Sequence, residues 1–135
     1  MSNPLFSQTP FIGFARPSTG NTASDGSGTL ETLVSATTMI RVDQILIRNS
    51  QLTAALSTAL VVKVFLTDTN GANPRLIDEV AVAAATRSTS AIGAAAAITF
   101  AGGLLLNTGQ VLKVCQSVHN AASQLDIVAK AYTVA

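Results

Sequence analysis

Tryptophan is absent from this chain, and cysteine, histidine and tyrosine occur once each. A single cysteine, Cys115, excludes an intrachain disulfide and a cysteine-based zinc site. A single histidine, His119, leaves a general base without the orienting partner it needs. One tyrosine, Tyr132, and no tryptophan offer little surface on which a sugar ring could stack, which weighs against a glycan-binding sandwich. Charge is scarce too. Only 11% of the residues are Asp, Glu, Lys or Arg, where soluble domains usually carry about 25%. The Lys and Arg are scattered singly and the formal net charge is +1, so nucleic acid has no electrostatic footprint to grip. No basic region followed by an apolar core opens the chain, and no secretory signal is expected. One apolar stretch, "AIGAAAAITFAGGLLL" from Ala91 to Leu106, is shorter than the roughly 20 residues a membrane span needs, and glycines interrupt it.

What is present is apolar and β-branched. At 135 residues, 48% of them hydrophobic, the chain has room for one domain that buries roughly two-thirds of its unfolded surface. With so few ions, the exterior must be Ser, Thr, Asn, Gln and Ala. Such a surface loses little hydration when another surface docks on it, and it suits a protein packed against neighbours.

From Thr29 onward, short apolar runs alternate with turn signals: "TLETLV", "MIRVDQILIRN", "LVVKVFLT", "RLIDEVAV", "AAITFA", "VLKVCQSV" and "LDIVAKAYTV". Ile45 and Ile47 share one face of the second run; Leu60, Val62, Val64 and Leu66 share one face of the third. Seven or eight strands without a sustained helical period predict an all-β fold, an antiparallel, jelly-roll-like sandwich. Alanine favours a helix between Ala83 and Ala97, but Thr86, Ser88, Thr89, Ser90 and Gly93 interrupt it, so a loop and then a small-residue strand are expected. At the central hairpin, pairing Leu66 with Leu76 sets Leu60 opposite Val82, Val62 opposite Val80, Phe65 beside Ile77 and Lys63 beside Glu79. This register leaves Asp78 on the apolar face.

The candidates for chemistry are few. His119, in "SVHNAA", reads as a strand end bonding to backbone. Cys115 has no helix N-terminus or cationic cluster to lower its pKa and reads as structural. "DTNGAN" (Asp68 to Asn73) offers one early carboxylate, too few for a calcium loop, and reads as a hairpin connection. Asp78 and Glu79 are adjacent and so point to opposite faces of a strand. Gly102-Gly103 precedes no helix and cradles no phosphate. No catalytic, metal or cofactor site is expected.

Residues 1–28 differ from the rest. They hold Phe6, Phe11 and Phe14, with Leu5 and Ile12, ahead of "GFARPSTGNTASDGSG", which has the composition of a linker. Burying each large side chain returns roughly 1.5–3 kcal/mol, while ordering each backbone residue costs roughly 1–2 kcal/mol. Without many added hydrogen bonds the segment cannot hold itself on its own sandwich. The expectation is an extended N-terminal arm, 1–28, that hooks another subunit through Leu5, Phe6, Phe11, Ile12 and Phe14, with folding back over an apolar edge of its own sandwich as the alternative. A sandwich domain, 29–135, should stand without it.

The order "RVDQILIRN", "VVKVFLTD", "RLIDEVAV", "GGLLLNTGQVLKVCQSVHNAA" resembles small virion proteins of tailed phages and prophages. In that group an apolar-Leu-x-x-Gly turn, here Leu106 to Gly109, leads to a strand closing in Ser-x-His-Asn-Ala, here Ser117 to Ala121. The resemblance covers roughly 29–135 and brings no catalytic residues. It implies a β-sandwich that decorates or cements a capsid, with neck, tail or fibre-base proteins as the alternative. The expected partners are the major capsid protein and further copies of the chain, as a homo-oligomer with a trimer favoured, and no nucleic acid or membrane. The expected location is the virion, after synthesis in the host cytoplasm.

Overall fold

A computed structural model describes residues 8–49, 55, 56, 58–119 and 124–134. The strands are β1 (Gln8–Ala15), β2 (Glu31–Ser35), β3 (Ile40–Asn49), β4 (Ala55–Leu56), β5 (Leu60–Leu66), β6 (Arg75–Val82), β7 (Ala85–Thr86), β8 (Ala95–Leu106), β9 (Val111–Gln116) and β10 (Leu125–Val134). Eight of them form two four-stranded antiparallel sheets. Sheet A runs β1-β10-β3-β8, sheet B runs β2-β9-β5-β6, and β4 pairs only with β7. First pairs with last, β1 with β10, then β2 with β9, β3 with β8 and β5 with β6. That nesting is one long hairpin. Rolling it up creates the remaining pairings, β10 with β3 and β9 with β5. The architecture is a jelly-roll sandwich.

The core lies between the sheets and follows from the alternation of side chains along a strand. Val42, Ile45 and Ile47 of β3, Val62 and Val64 of β5, Leu112 and Val114 of β9, and Leu125, Ile127 and Ala129 of β10 are all fully buried there. The alanine-rich segment contains no helix. It is β7, a turn closed by Ser88 N donating to Ala91 O, and then β8.

In the central hairpin, Leu60 pairs with Val82, Val62 with Val80 and Lys63 with Glu79, as expected, but the register then slips. Phe65 sits opposite Leu76 rather than Ile77, and Leu66 opposite Arg75 rather than Leu76. The extra residue is Ile77, a bulge on an edge strand, where such irregularity costs little and blunts the edge. Asp78 keeps its expected place opposite Val64, but β6 is an edge strand and the residue is exposed there, its carboxylate accepting from the Glu79 N–H. Lys63 does not meet Glu79 with its charge; its ammonium turns elsewhere.

The arm requires a correction. Residues 8–15 are not apart from the sandwich but form β1, paired along its whole length with β10 of the same chain. Residues 16–29 cross from sheet A to sheet B and lie over the outside of sheet B as a strap. A boundary at 28/29 therefore does not divide the described structure. The missing energy comes from hydrogen bonds: the β1–β10 ladder and the polar contacts of the strap together offset a backbone cost that five apolar anchors could not.

Candidate interaction surface

Among the described residues the two outer faces of the sandwich differ: a strap crosses sheet B and none crosses sheet A. On β5, Lys63 and Phe65 alternate with the core residues Val62 and Val64, and so face outward. Their neighbours on β9 are Cys115 and Lys113. Lys63, Phe65 and Cys115 are nevertheless buried, because the strap crosses over this face. Asn21 N donates to Gln116 O at 2.8 Å, anchoring the strap to β9 just beyond the first residue of β2. The Lys63 ammonium donates to Thr22 O at 2.7 Å, to Ser24 Oγ at 2.8 Å and to Ala23 O at 3.4 Å. Asn21 closes the neck of the loop, its side-chain amide donating to Ser27 O at 2.9 Å and Thr29 O at 3.0 Å. This is a compact Ω-loop held by its own side chains. Two of the glycines that made the segment look like a linker are required by this geometry. Gly26 (φ 88°) and Gly28 (φ 79°) occupy the left-handed region, and a Cβ would meet Pro74 O in the first case and the Asn21 side chain in the second.

Among the described residues, sheet A carries no such cover. Its outward residues form rows across all four strands, read from the pairing registers. The first row is Phe14, Val128, Leu46 and Ala97; the next is Ile12, Lys130, Gln44 and Thr99; beyond it come Pro10, Tyr132, Arg41 and Leu105. Ile12 is 69% exposed and Phe14 53%. Beside them a groove of about 520 Å³ is lined by Pro10, Phe11, Ile12, Lys130, Ala131 and Tyr132. Arg41 lies over the Tyr132 ring, 5.1 Å from its centroid, so one face of the lone tyrosine is already taken by a cation–π contact. Arg41 is paired with Asp43 at 2.9 Å, and Arg16 is held by both carboxylate oxygens of Asp126, at 2.6 and 3.2 Å. On the outer face of sheet A, the cations with no ion pair among the described residues are Lys130 and Arg48. The bare face is apolar at its centre and net positive.

The residues predicted for binding separate accordingly. Ile12 and Phe14 lie together on the open face. Phe11 points the other way and packs against the core. Leu5 and Phe6 lie outside the described residues. Val128, Leu46, Ala97 and Leu105 complete the surface and were missed. Their signal was present: "QILIR" and "DIVAKAY" are apolar on both faces of a strand, the pattern of a sheet covered on both sides.

The titratable groups are engaged in structure. Cys115 is buried, its thiol 3.7 Å from Asn21 O, and burial pushes its pKa up, with Lys63 acting weakly against this. A raised pKa leaves little thiolate at neutral pH. His119 Nδ1 lies 3.0 Å from the Gln116 amide nitrogen. Asp68 is used in the β5–β6 connection, pairing with Arg75 at 3.3 Å and accepting from Asn73 at 2.8 Å. Among the described residues, no three His, Cys, Asp or Glu stand close enough to hold a metal ion. Among the described residues, no helix is long and apolar enough to cross a membrane. A smaller hollow of about 390 Å³ is lined by Arg48, Arg87, Ile92, Gly93 and Ala95.

No family model matches the chain, and no curated protein does. Among solved structures it is similar to a chain of the infectious bursal disease virus Gt strain, with 17% identity and a TM-score of 0.32 over 98% of this chain and 33% of that one. A chain of the Gx strain gives 12% identity and a TM-score of 0.30, over 93% of this chain and 32% of that one. The Eiger TNF of S. frugiperda gives 14% identity and a TM-score of 0.34, over 93% and 92%. The present chain thus spans about a third of the length of the viral chains. At these identities and scores the likeness says nothing of what this chain binds.

Proposed function

We propose that this chain is a structural virion protein of a tailed phage, a decoration or cement protein that docks on the head, against the major capsid protein and neighbouring subunits. The observation that carries the reading is the bare outer face of sheet A. A row of apolar side chains, Phe14, Val128, Leu46 and Ala97, crosses all four strands of that face, while the opposite face has a strap of its own. An apolar surface of this kind marks an interaction site. The thin charge of the whole chain lowers the cost of docking. Cys115 and His119 take structural roles, and the protein acts by binding, without a chemical step. The resemblance of residues 29–135 to small phage virion proteins supports the same reading. Quantitative mass spectrometry of purified particles tests it. Hundreds of copies per particle are expected; a dozen or fewer would move the protein to the neck or tail, and absence from particles would overturn the reading.

A further inference from the structure

Two exposed apolar patches lie on opposite flanks of the sandwich, and they carry opposite charge. The first is on sheet A, where Ile12 and Phe14 stand at the free β1 edge and Lys130 is the cross-strand neighbour of Ile12. The second is on β6, the free edge of sheet B, where Leu76 is 37% and Ile77 39% exposed, beside Asp78 and Glu79. β1 packs beside β2 and β6 beside β8, so the patches occupy the two ends of the layered pair. One molecule cannot bring them together.

We infer that the chain associates with itself head to tail, the Ile12–Phe14–Lys130 patch of one copy receiving the β6 edge of the next. Like-to-like contact through sheet A would bring two net positive faces together, each carrying Lys130 and Arg48, which costs binding energy. The β6 edge instead brings the complementary feature to each part of the patch. Ile77 and Leu76 meet Ile12 and Phe14, and Glu79 or Asp78 meets Lys130. The bulge at Ile77 contributes by thrusting one more apolar side chain out of the edge than a regular strand would present. A contact between two different patches is heterologous, so every copy keeps one donor flank and one acceptor flank, and copies add in one direction. The inference deepens the virion reading by naming the neighbour as a second copy.

The test uses the full chain and light scattering to read mass in solution. Phe14→Asp blocks one flank and Ile77→Asp the other; both positions are exposed, and circular dichroism and a thermal melt check that each variant folds. Each variant alone is expected to be monomeric. Mixed one to one, they are expected to form a species of two chains and nothing larger, because one intact patch of each kind remains. A second pair guards against misfolding. Lys130→Glu and Glu79→Lys are each expected to weaken association by about tenfold, and the double variant to recover most of it. Assembly of Ile77→Asp as wild type, or failure of the mixture to associate, overturns the inference. So does a monomeric wild type. If that monomer still attaches to particles and Phe14→Asp does not, the face takes a different protein and the virion reading stands. If the protein is absent from particles while the complementation succeeds, the virion reading fails and the head-to-tail contact stands.

Discussion

Replacing Lys63 by Met should release the strap, and Cys115 is placed to report it. The Lys63 ammonium is bound at 2.7 and 2.8 Å to Thr22 O and Ser24 Oγ, with a third contact of 3.4 Å to Ala23 O. A hydrogen bond to a charged group contributes about 1.5–3 kcal/mol. The full sum does not apply, because Thr22 and Ser24 are exposed and their oxygens find water once released. Methionine also keeps the packing of the stem over the sheet. The net loss is then about 2–3 kcal/mol, taken from strap closure. At about 1.4 kcal/mol per factor of ten, the strap opens about 30- to 150-fold more often. Cys115 lies beneath it, 1% exposed, its thiol directed at Asn21 O. Labelling by a small thiol reagent under native conditions measures that opening, and Lys63→Met should accelerate it by the same factor. Because the opening is local, the labelling rate should change little in low urea, whereas global unfolding carries a steep dependence. An unchanged rate in Lys63→Met, or a rate in the wild type that follows the global urea slope, would refute the strap as a separate closing element.

Deleting residues 1–28 should abolish a cooperative thermal transition, since it strips the β10 edge and uncovers Lys63, Phe65 and Cys115; a truncated chain melting within a few degrees of the full one would count against this. Phe65→Ala should cost about 3–5 kcal/mol in urea titration, the range for a buried ring, although Phe65 faces away from the inter-sheet core; a loss under 1 kcal/mol would show that the outer face is loosely packed. The pH dependence follows from Cys115, whose folded pKa is raised above the ordinary thiol value of 9.0. Below that value both states hold the proton and the stability is complete. Above it the unfolded chain loses its proton first, so stability should fall by up to about 1.4 kcal/mol per pH unit until the folded thiol ionises. Cys115→Ala should flatten this alkaline slope, and an identical slope in the variant would assign it to another group.

Much of the sandwich was legible because alternation is a local property. The runs at Leu60–Leu66 and Ile40–Asn49 state which side chains share a face wherever the strand lies, and the turn residues between runs mark where each strand ends. The pairing of Lys63 with Glu79 could be read from the same alternation, since the period of two leaves few registers that bury Val62 and Val80 together. The bulge at Ile77 could not, because a single extra residue changes the pairing without altering the pattern on either side of it. The surface was half legible. Ile12 and Phe14 stood out as apolar residues in a segment without a core of its own. Val128, Leu46 and Ala97 lie within runs that are apolar on both faces, and only the sheet pairing sets them together on one outer face.

The sequence by itself thus determined an all-β chain whose strands alternate and whose charge is thin. Tertiary structure decided the fate of residues 8–28. Read locally, "GFARPSTGNTASDGSG" is small, polar and glycine-rich, all of which suit a free linker. Its partners are Pro74, Gln116 and the Lys63 ammonium, tens of residues away in sequence and brought beneath it only by the rolling of the hairpin. A hydrogen bond between groups so far apart leaves no periodic trace in the chain. The same rolling brought the strap over sheet B, where Lys63 and Gln116 hold it, while no described segment crosses sheet A.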